Sequence, residues 1–246
     1  GKYLERTLQS VGKAARLVPG VADSIEYIMV DGASQDETLR IAERYSTLLQ
    51  RIISEPDRGL YDAMNKGLSL ATGEYVWFLN AGDEVYDGQV ISRLLHAMED
   101  SKADVYYSDA LFVQEDGTPV GLRSEVTPHT LPQNIHWRDL ALGMKISHQA
   151  FVVKRAIAPL YDHNNLSADI DWEIECLKRS RSTRYLPFVL CRYLVGGLSV
   201  KRHRRSLVDR FRVLRKHFGL LPTLWNHARI AGRGVGFALK KGGKYW

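Results

Sequence analysis

The sequence predicts an α/β protein: a mixed, mostly parallel sheet flanked by helices, followed by a basic helical tail. Three observations predict it. Short apolar runs rich in β-branched and aromatic residues, such as Ile25–Val30 and Tyr75–Leu79, alternate with longer segments of helical spacing. Each run passes into a polar turn carrying an aspartate, the pattern of strand ends in open α/β sheets. The charge is divided: residues 201–246 hold 13 Lys/Arg against one acid, net +12, so within a total of +6 the first 200 residues carry −6.

The elements follow in order. Leu4, Leu8, Val11, Ala15 and Val18 share one face of a helix over Tyr3–Leu17, which Pro19-Gly20 ends. Ile25–Val30 is a strand, and Ser34 or Asp36 caps the next helix, Leu39–Leu48. Arg51–Ser54 is a short strand; Tyr61–Ala71 is a helix closed by Gly73. The run Tyr75–Leu79 reads as a strand buried on both faces, leading into Asn80, Gly82, Asp83 and Glu84. A helix from about Gln89 to Met98 and a strand over Ala103–Tyr107 come next. Asp116-Gly117, between Leu111–Val113 and Pro119–Leu122, signals a hairpin. Residues 124–145 are rich in Pro, His and Trp without a period and are expected to form a functional loop or lid. A strand at Phe151–Val153, a helix within Leu166–Arg179 and one or two strands within Arg184–Tyr193 complete the body.

A chain of 246 residues fits one large domain, or one domain with an appendage; the charge step places the expected boundary between 1–200 and 201–246. Cys176 and Cys191 have no metal spacing and form no disulfide framework, which suits a reducing compartment. No run reaches the length of a transmembrane helix.

Asp31, Asp57, Asp83 and the pair Asp169/Asp171 each follow a strand or open a helix. Acids at such positions converge in an α/β fold, where they bind a divalent metal, hold a ribose hydroxyl or act as general base. Taken singly, each also reads as the cap of its own turn.

Several of these residues sit in motifs. Val30–Thr38 (VDGASQDET) resembles the VDGxSxDxT signature of family-2 glycosyltransferases, which have the GT-A fold. Glu55–Gly67 (EPDRGLYDAMNKG) resembles the second motif of the branch active in bacterial exopolysaccharide, colanic-acid-type and O-antigen synthesis. Phe78–Asp83 (FLNAGD) is similar to that branch's form of the DXD region, and Ser147–Ala150 (SHQA), Ser167–Asp171 (SADID) and Gly196–Ser199 (GGLS) follow in its order. The resemblance spans about residues 3–200.

The resemblance implies inverting transfer from a nucleotide-sugar donor to a saccharide acceptor, expected to be lipid-linked, in bacterial surface polysaccharide synthesis. It implies that Asp31 meets the base or ribose of the donor, with Asp57, Arg58, Lys66 and Asn80 also on the donor side. Asp83, with His148 as a further candidate, would meet Mg2+ or Mn2+ on the diphosphate. Asp169 would be the general base and Asp171 is the alternative. His148 also reads as a satisfied structural histidine, Arg58 and Lys66 as solvated cations, and Trp137 and Trp172 as core. Two departures stand out. Asn80 and Gly82 occupy places where many members carry acids. The family's opening strand, ending in a Tyr/Phe-Asn-like turn, has no counterpart ahead of the first helix, so the GT-A domain is expected to lack its first strand. That departure supports the other reading, a catalytically silent GT-A-like scaffold subunit of a polysaccharide assembly complex.

In the tail, Ser206 fits a helix start, and Leu207, Phe211, Leu214 and Phe218 form an apolar stripe ringed by Arg205, Arg210, Arg212, Arg215 and Lys216. A second segment, Leu220–Ile230, adds Trp225. Either the helix packs on the body with a solvated basic face, or it meets anionic lipid at the inner face of the plasma membrane. The expected location is therefore cytoplasmic, with a peripheral membrane contact in the second case. Nucleic acid is not expected, because the aromatics are not interleaved as stacking platforms.

Overall fold

The computed structural model describes residues 1–18, 20, 24–196 and 203–240. Part of the GGLS motif, Gly197 to Ser199, lies outside the described residues. The chain runs through α1 (Leu4–Arg16), β1 (Ile28–Asp31), α2 (Thr38–Glu43), β2 (Arg51–Ser54), α3 (Leu60–Leu70), β3 (Tyr75–Trp77), β4 (Glu84–Val85) and α4 (Val90–Ser101). It continues with β5 (Val105–Tyr107), β6 (Ala110–Val113), β7 (Pro119–Leu122), α5 (Arg123–Val126), β8 (Phe151–Lys154), α6 (Ala168–Arg179), β9 (Thr183–Tyr185) and β10 (Cys191–Leu194). Two helices close it, α7 (His203–Phe218) and α8 (Leu220–Lys240).

The α/β class is as expected, but the strands divide into three sheets: β1-β2, β3-β8-β5-β9 and β4-β10-β6-β7. Pairing is mixed rather than mostly parallel. The pairs β1·β2, β5·β9 and β6·β10 are parallel, while β3·β8, β5·β8, β4·β10 and β6·β7 are antiparallel. Strand β8 explains the excess. It enters between β3 and β5 in the opposite sense, so both of its ladders are antiparallel.

Strand β5 is buried at all three positions and lies in the main core with Phe151, Val152, Val153, Trp172 and Leu177. Strand β3 is not buried on both faces as its apolar composition predicts; only Val76 is. It sits at the edge of its sheet, and its residues line a cleft of about 600 Å³ shared with Ile25, Tyr27 and Ile28 at the start of β1. Strands β1 and β3 each have one strand partner among the described residues. The apolar cleft thus lies between the start of β1 and the edge strand β3.

Helix α1 ties the pieces together. Its Leu4 and Leu8 pack with Met29, Ile41, Ala42 and Leu49, whereas its Val11 and Ala14 belong to the main core. Its Thr7 hydroxyl donates to Asp83 O (2.7 Å) and accepts from Gly82 N–H (2.9 Å), clamping the β3–β4 turn.

Residues 124–145 form no free lid. They hold a 3-10 helix, Trp137–Leu142, wedged against α6 and α8. The tail is docked on the body. Val213 and Leu214 are buried, Phe218 stacks on Trp137, and Asp209 accepts from Leu166 N–H (3.1 Å). Of the expected α7 stripe, Leu214 is buried and Phe211 and Phe218 are half-buried against the body, whereas Leu207 is exposed; the helix begins at His203, one turn before Ser206.

Candidate active site

Asp169 lies in the first turn of α6 and accepts from its neighbour, Ile170 N–H (2.9 Å). The Tyr61 hydroxyl, at the start of α3, faces the Asp169 carboxylate and Leu166 O (3.4 Å). Asn65 fixes α3 to the loop before α6 through two bonds, Nδ2 to Tyr161 O (2.9 Å) and Tyr161 N–H to Oδ1 (2.7 Å). The second motif and the SADID motif, about 100 residues apart in sequence, meet at this point.

An aromatic floor lies beneath. Tyr161 stacks on Trp172 (4.9 Å between centroids) and on Tyr61 (5.6 Å), while Phe78 stacks on His148 (5.7 Å). Burial pushes the Asp169 carboxyl above its usual range; the hydrogen bonds from Ile170 N–H and the Tyr61 hydroxyl pull it partly back. An acid of raised proton affinity, in a helix start beside a fold-wide junction, is suited to taking a proton from a hydroxyl.

His148 is buried and its Nε2 lies 3.0 Å from the Tyr161 hydroxyl. Burial lowers its pKa to about 4, so the ring is neutral at pH 7. Its Nδ1 lies 3.9 Å from Glu173 Oε1, and neither atom has a hydrogen-bond partner among the described residues. Glu173 is 0% exposed, and burial first, then the Asp169 charge, pushes its carboxyl well above the usual range. Four residues after Asp169 it occupies the same helix face. Sequence reasoning missed Glu173, Tyr61 and Tyr161. Glu173 was detectable as a carboxylate at an apolar position of α6 and Tyr61 as a member of the second motif; Tyr161 carries no local signal.

Asp171 is turned away. Two residues on a helix are separated by about 200°, so the pair cannot share a face. Asp171 accepts from Lys216 Nζ (2.9 Å to each oxygen) and from His217 Nε2. Burial raises its pKa, but these two donors outweigh it and hold the carboxyl below its usual range. It is a docking residue for α7.

At the carboxyl ends of β1 and β2 the other motif acids meet. Asp31, 6% exposed, accepts from Ser34 N–H (2.9 Å) and from the Ser54 hydroxyl (2.7 Å). Burial pushes its pKa up, and these bonds more than reverse that. Asp57 caps the next turn through Gly59 N–H (2.8 Å), and its Oδ2 lies 2.5 Å from where a Cβ on Gly32 would stand. Only glycine allows that approach. Arg58 pairs with Asp62 (3.2 Å), and Lys66 Nζ reaches Pro56 O (2.8 Å) and Glu55 (2.9 Å). Asn80 is half-buried, with its carbonyl near the Thr7 hydroxyl (3.4 Å).

Asp83 does not fit a metal ligand. It is 3% exposed and its Oδ1 accepts from Leu194 N–H (2.9 Å). Burial raises its pKa to about 7, with the bonds from Leu194 and Gln149 opposing. The adjoining position is closed as well. Gly82 has φ +108°, and a Cβ there would lie 2.7 Å from Leu194 Cδ2, so an acid at 82 would strain the backbone and displace the Leu194 side chain. His148 is likewise turned inward. Among the described residues, no group of three His, Cys, Asp or Glu is arranged to hold a metal ion.

The family model "Glycosyl transferase family 2" matches residues 1–159. The chain belongs to glycosyltransferase family 2. A relative from Mycobacterium bovis (strain BCG / Pasteur 1173P2), the PGL/p-HBAD biosynthesis glycosyltransferase, is 32% identical over 209 residues, 75% of this chain and 75% of its own. The uncharacterized glycosyltransferase YibD of Escherichia coli K12 is 25% identical over 207 residues, 74% of this chain and 56% of its own. The GT-A fold is shared with S. aureus TarS 1-349 in complex with UDP-GlcNAc, with a TM-score of 0.70 at 17% identity over 96% of this chain and 70% of that one. It is also shared with the mannosyltransferase PcManGT from Pyrobaculum calidifontis in complex with GDP-Man and Mn2+, with a TM-score of 0.60 at 16% identity over 96% and 71%. This family-2 chain is thus a transferase whose structural neighbours are seen with nucleotide sugars, one of them with Mn2+.

Proposed function

We propose that this glycosyltransferase moves a sugar with inversion from a nucleotide-sugar donor to a saccharide acceptor, lipid-linked, in surface polysaccharide synthesis. The observation that carries the reading is Asp169: a carboxylate of raised proton affinity at a helix start, beside Tyr61 of the second motif.

In this reading Asp169 accepts the acceptor hydroxyl's proton as that oxygen attacks the anomeric carbon and the nucleoside diphosphate leaves. Asp31 takes the donor's base or ribose, with Asp57 and Asn80 beside it. Arg58 and Lys66 offer fixed positive charge to the diphosphate. Asp83 and His148 are turned inward, to Leu194 N–H and the Tyr161 hydroxyl, and do not face the diphosphate. The transferase unit is residues 1–200; residues 201–246 form the basic unit that meets the membrane carrying the acceptor, on its cytoplasmic side.

Thermal-shift screening with UDP-, GDP- and dTDP-sugars, followed by transfer assays on wild type and Asp169→Asn, tests the reading. Donor stabilisation with transfer lost in the variant supports it. A variant with full transfer refutes the base assignment, and a chain that binds donor without turnover is the scaffold subunit instead.

A further inference from the structure

Helix α8 carries its apolar stripe on the wrong side for a helix that ends in water. The side facing the body is mixed: Thr223 and Asn226 are buried, Ile230 and Phe237 are half-buried, and Arg233 reaches His129 (3.1 Å). The side facing outward is apolar. Leu221, Leu224, Trp225, Ala228, Val235 and Leu239 recur at helical spacing and all are exposed. Leu221 is 77% exposed, Trp225 68% and Leu239 79%. From Leu220 to Leu239 this stripe extends about 28 Å, at 1.5 Å per residue. Single exposed leucines need no explanation; a continuous stripe of this length does.

We propose that this outer face of α8 lies along the headgroup region of an anionic lipid bilayer. The inference rests on the membrane-facing reading of the tail and moves the contact from the α7 stripe, whose Leu214 is buried and whose Phe218 stacks on Trp137, to a different helix.

Charge decides between the occupants. Residues 201–246 carry net +12, and their only acid, Asp209, is buried and paired with Arg205 and Arg212. The exposed charges of the tail are therefore cationic, with Arg204, Arg212 and Arg215 on α7 and Arg229 beside the α8 stripe. A second copy docking through the same stripe would bring two such surfaces together. An anionic membrane supplies the opposite charge and an apolar layer at once, the combination that binds basic helices with Trp and Leu on one face. The helix lies on the bilayer rather than crossing it, since no described helix is long and apolar enough to span.

Vesicle flotation of the full chain tests this. Vesicles of phosphatidylcholine alone are compared with vesicles containing about 30% phosphatidylglycerol. The anionic vesicles are expected to carry at least about tenfold more protein. Leu221→Glu/Leu224→Glu/Trp225→Glu is expected to lower that by about tenfold or more with thermal melting unchanged. Arg204→Gln/Arg215→Gln/Arg229→Gln, which leaves the stripe whole, is expected to lose the preference for anionic lipid. Wild type absent from both vesicle fractions overturns the proposal. So does equal binding by the triple-Glu variant, or self-association on sedimentation that the triple-Glu variant abolishes without any vesicle binding. Transfer to a soluble acceptor is read in parallel. Its loss alone strikes the catalytic reading and leaves the lipid contact standing.

Discussion

Asp83→Asn separates a buried structural carboxyl from a metal ligand. Burial raises the Asp83 pKa from the ordinary 3.8 to about 7. The native state therefore holds this proton more tightly than the unfolded chain. Its contribution to stability is fully present below pH 3.8 and is lost as pH rises through about 7. The rise spans about three decades of proton affinity, or about 4 kcal/mol in full at about 1.4 kcal/mol per decade. Between pH 5 and pH 8, about 2–3 kcal/mol of that is lost, about 5–10 °C in melting temperature for a chain of this size. Asparagine keeps the oxygen that accepts Leu194 N–H, and Gln149 can turn its amide to face the new NH2. The variant is therefore expected to be flatter between pH 5 and pH 8 by about 2–3 kcal/mol in urea unfolding followed by tryptophan fluorescence. Its transfer rate is expected to respond to added Mn2+ as wild type does. Parallel pH profiles for the two proteins would refute the burial argument. Loss of a wild-type Mn2+ response in the variant would return Asp83 to the metal.

Asp169→Asn is expected to lower the transfer rate about 10²- to 10⁴-fold, whereas Asp171→Asn stays within about tenfold and lowers the melting temperature by freeing α7; steady-state rates and melting curves check both. Tyr61→Phe removes a hydrogen bond that lowers the Asp169 pKa, so the acidic limb of the rate–pH profile moves to higher pH; an unmoved limb refutes the contact. Gly82→Asp, a repair toward two acids, is expected to destabilise by more than about 1–3 kcal/mol, because the positive φ and Leu194 both oppose it. Leu214→Ala is expected to cost about 2–5 kcal/mol in urea unfolding if the tail is docked; a change under about 0.5 kcal/mol would show that it is not.

The elements were legible because their signals are local. Apolar periodicity marks α1, α3, α4 and α6, and Asp116-Gly117 marks the β6–β7 turn that the structure closes. The motif acids were legible for the same reason: Asp31 and Asp57 close turns within a few residues of themselves. Helix α8 was underestimated. The expected segment stopped near Ile230, since Gly232, Gly234 and Gly236 disfavour helix in isolation. Docking on the 3-10 helix Trp137–Leu142 and on α7 accompanies its course to Lys240.

Chain order and the positions of turns follow from short-range chemistry, and the sequence alone determines them. Direction does not. Whether Asp169 or Asp171 faces Tyr61, whether Asp83 points to a ligand or to Leu194 N–H, and whether β8 runs with or against its neighbours depend on groups far along the chain. Burial and long-range hydrogen bonding set them, and both exist only once the chain has folded.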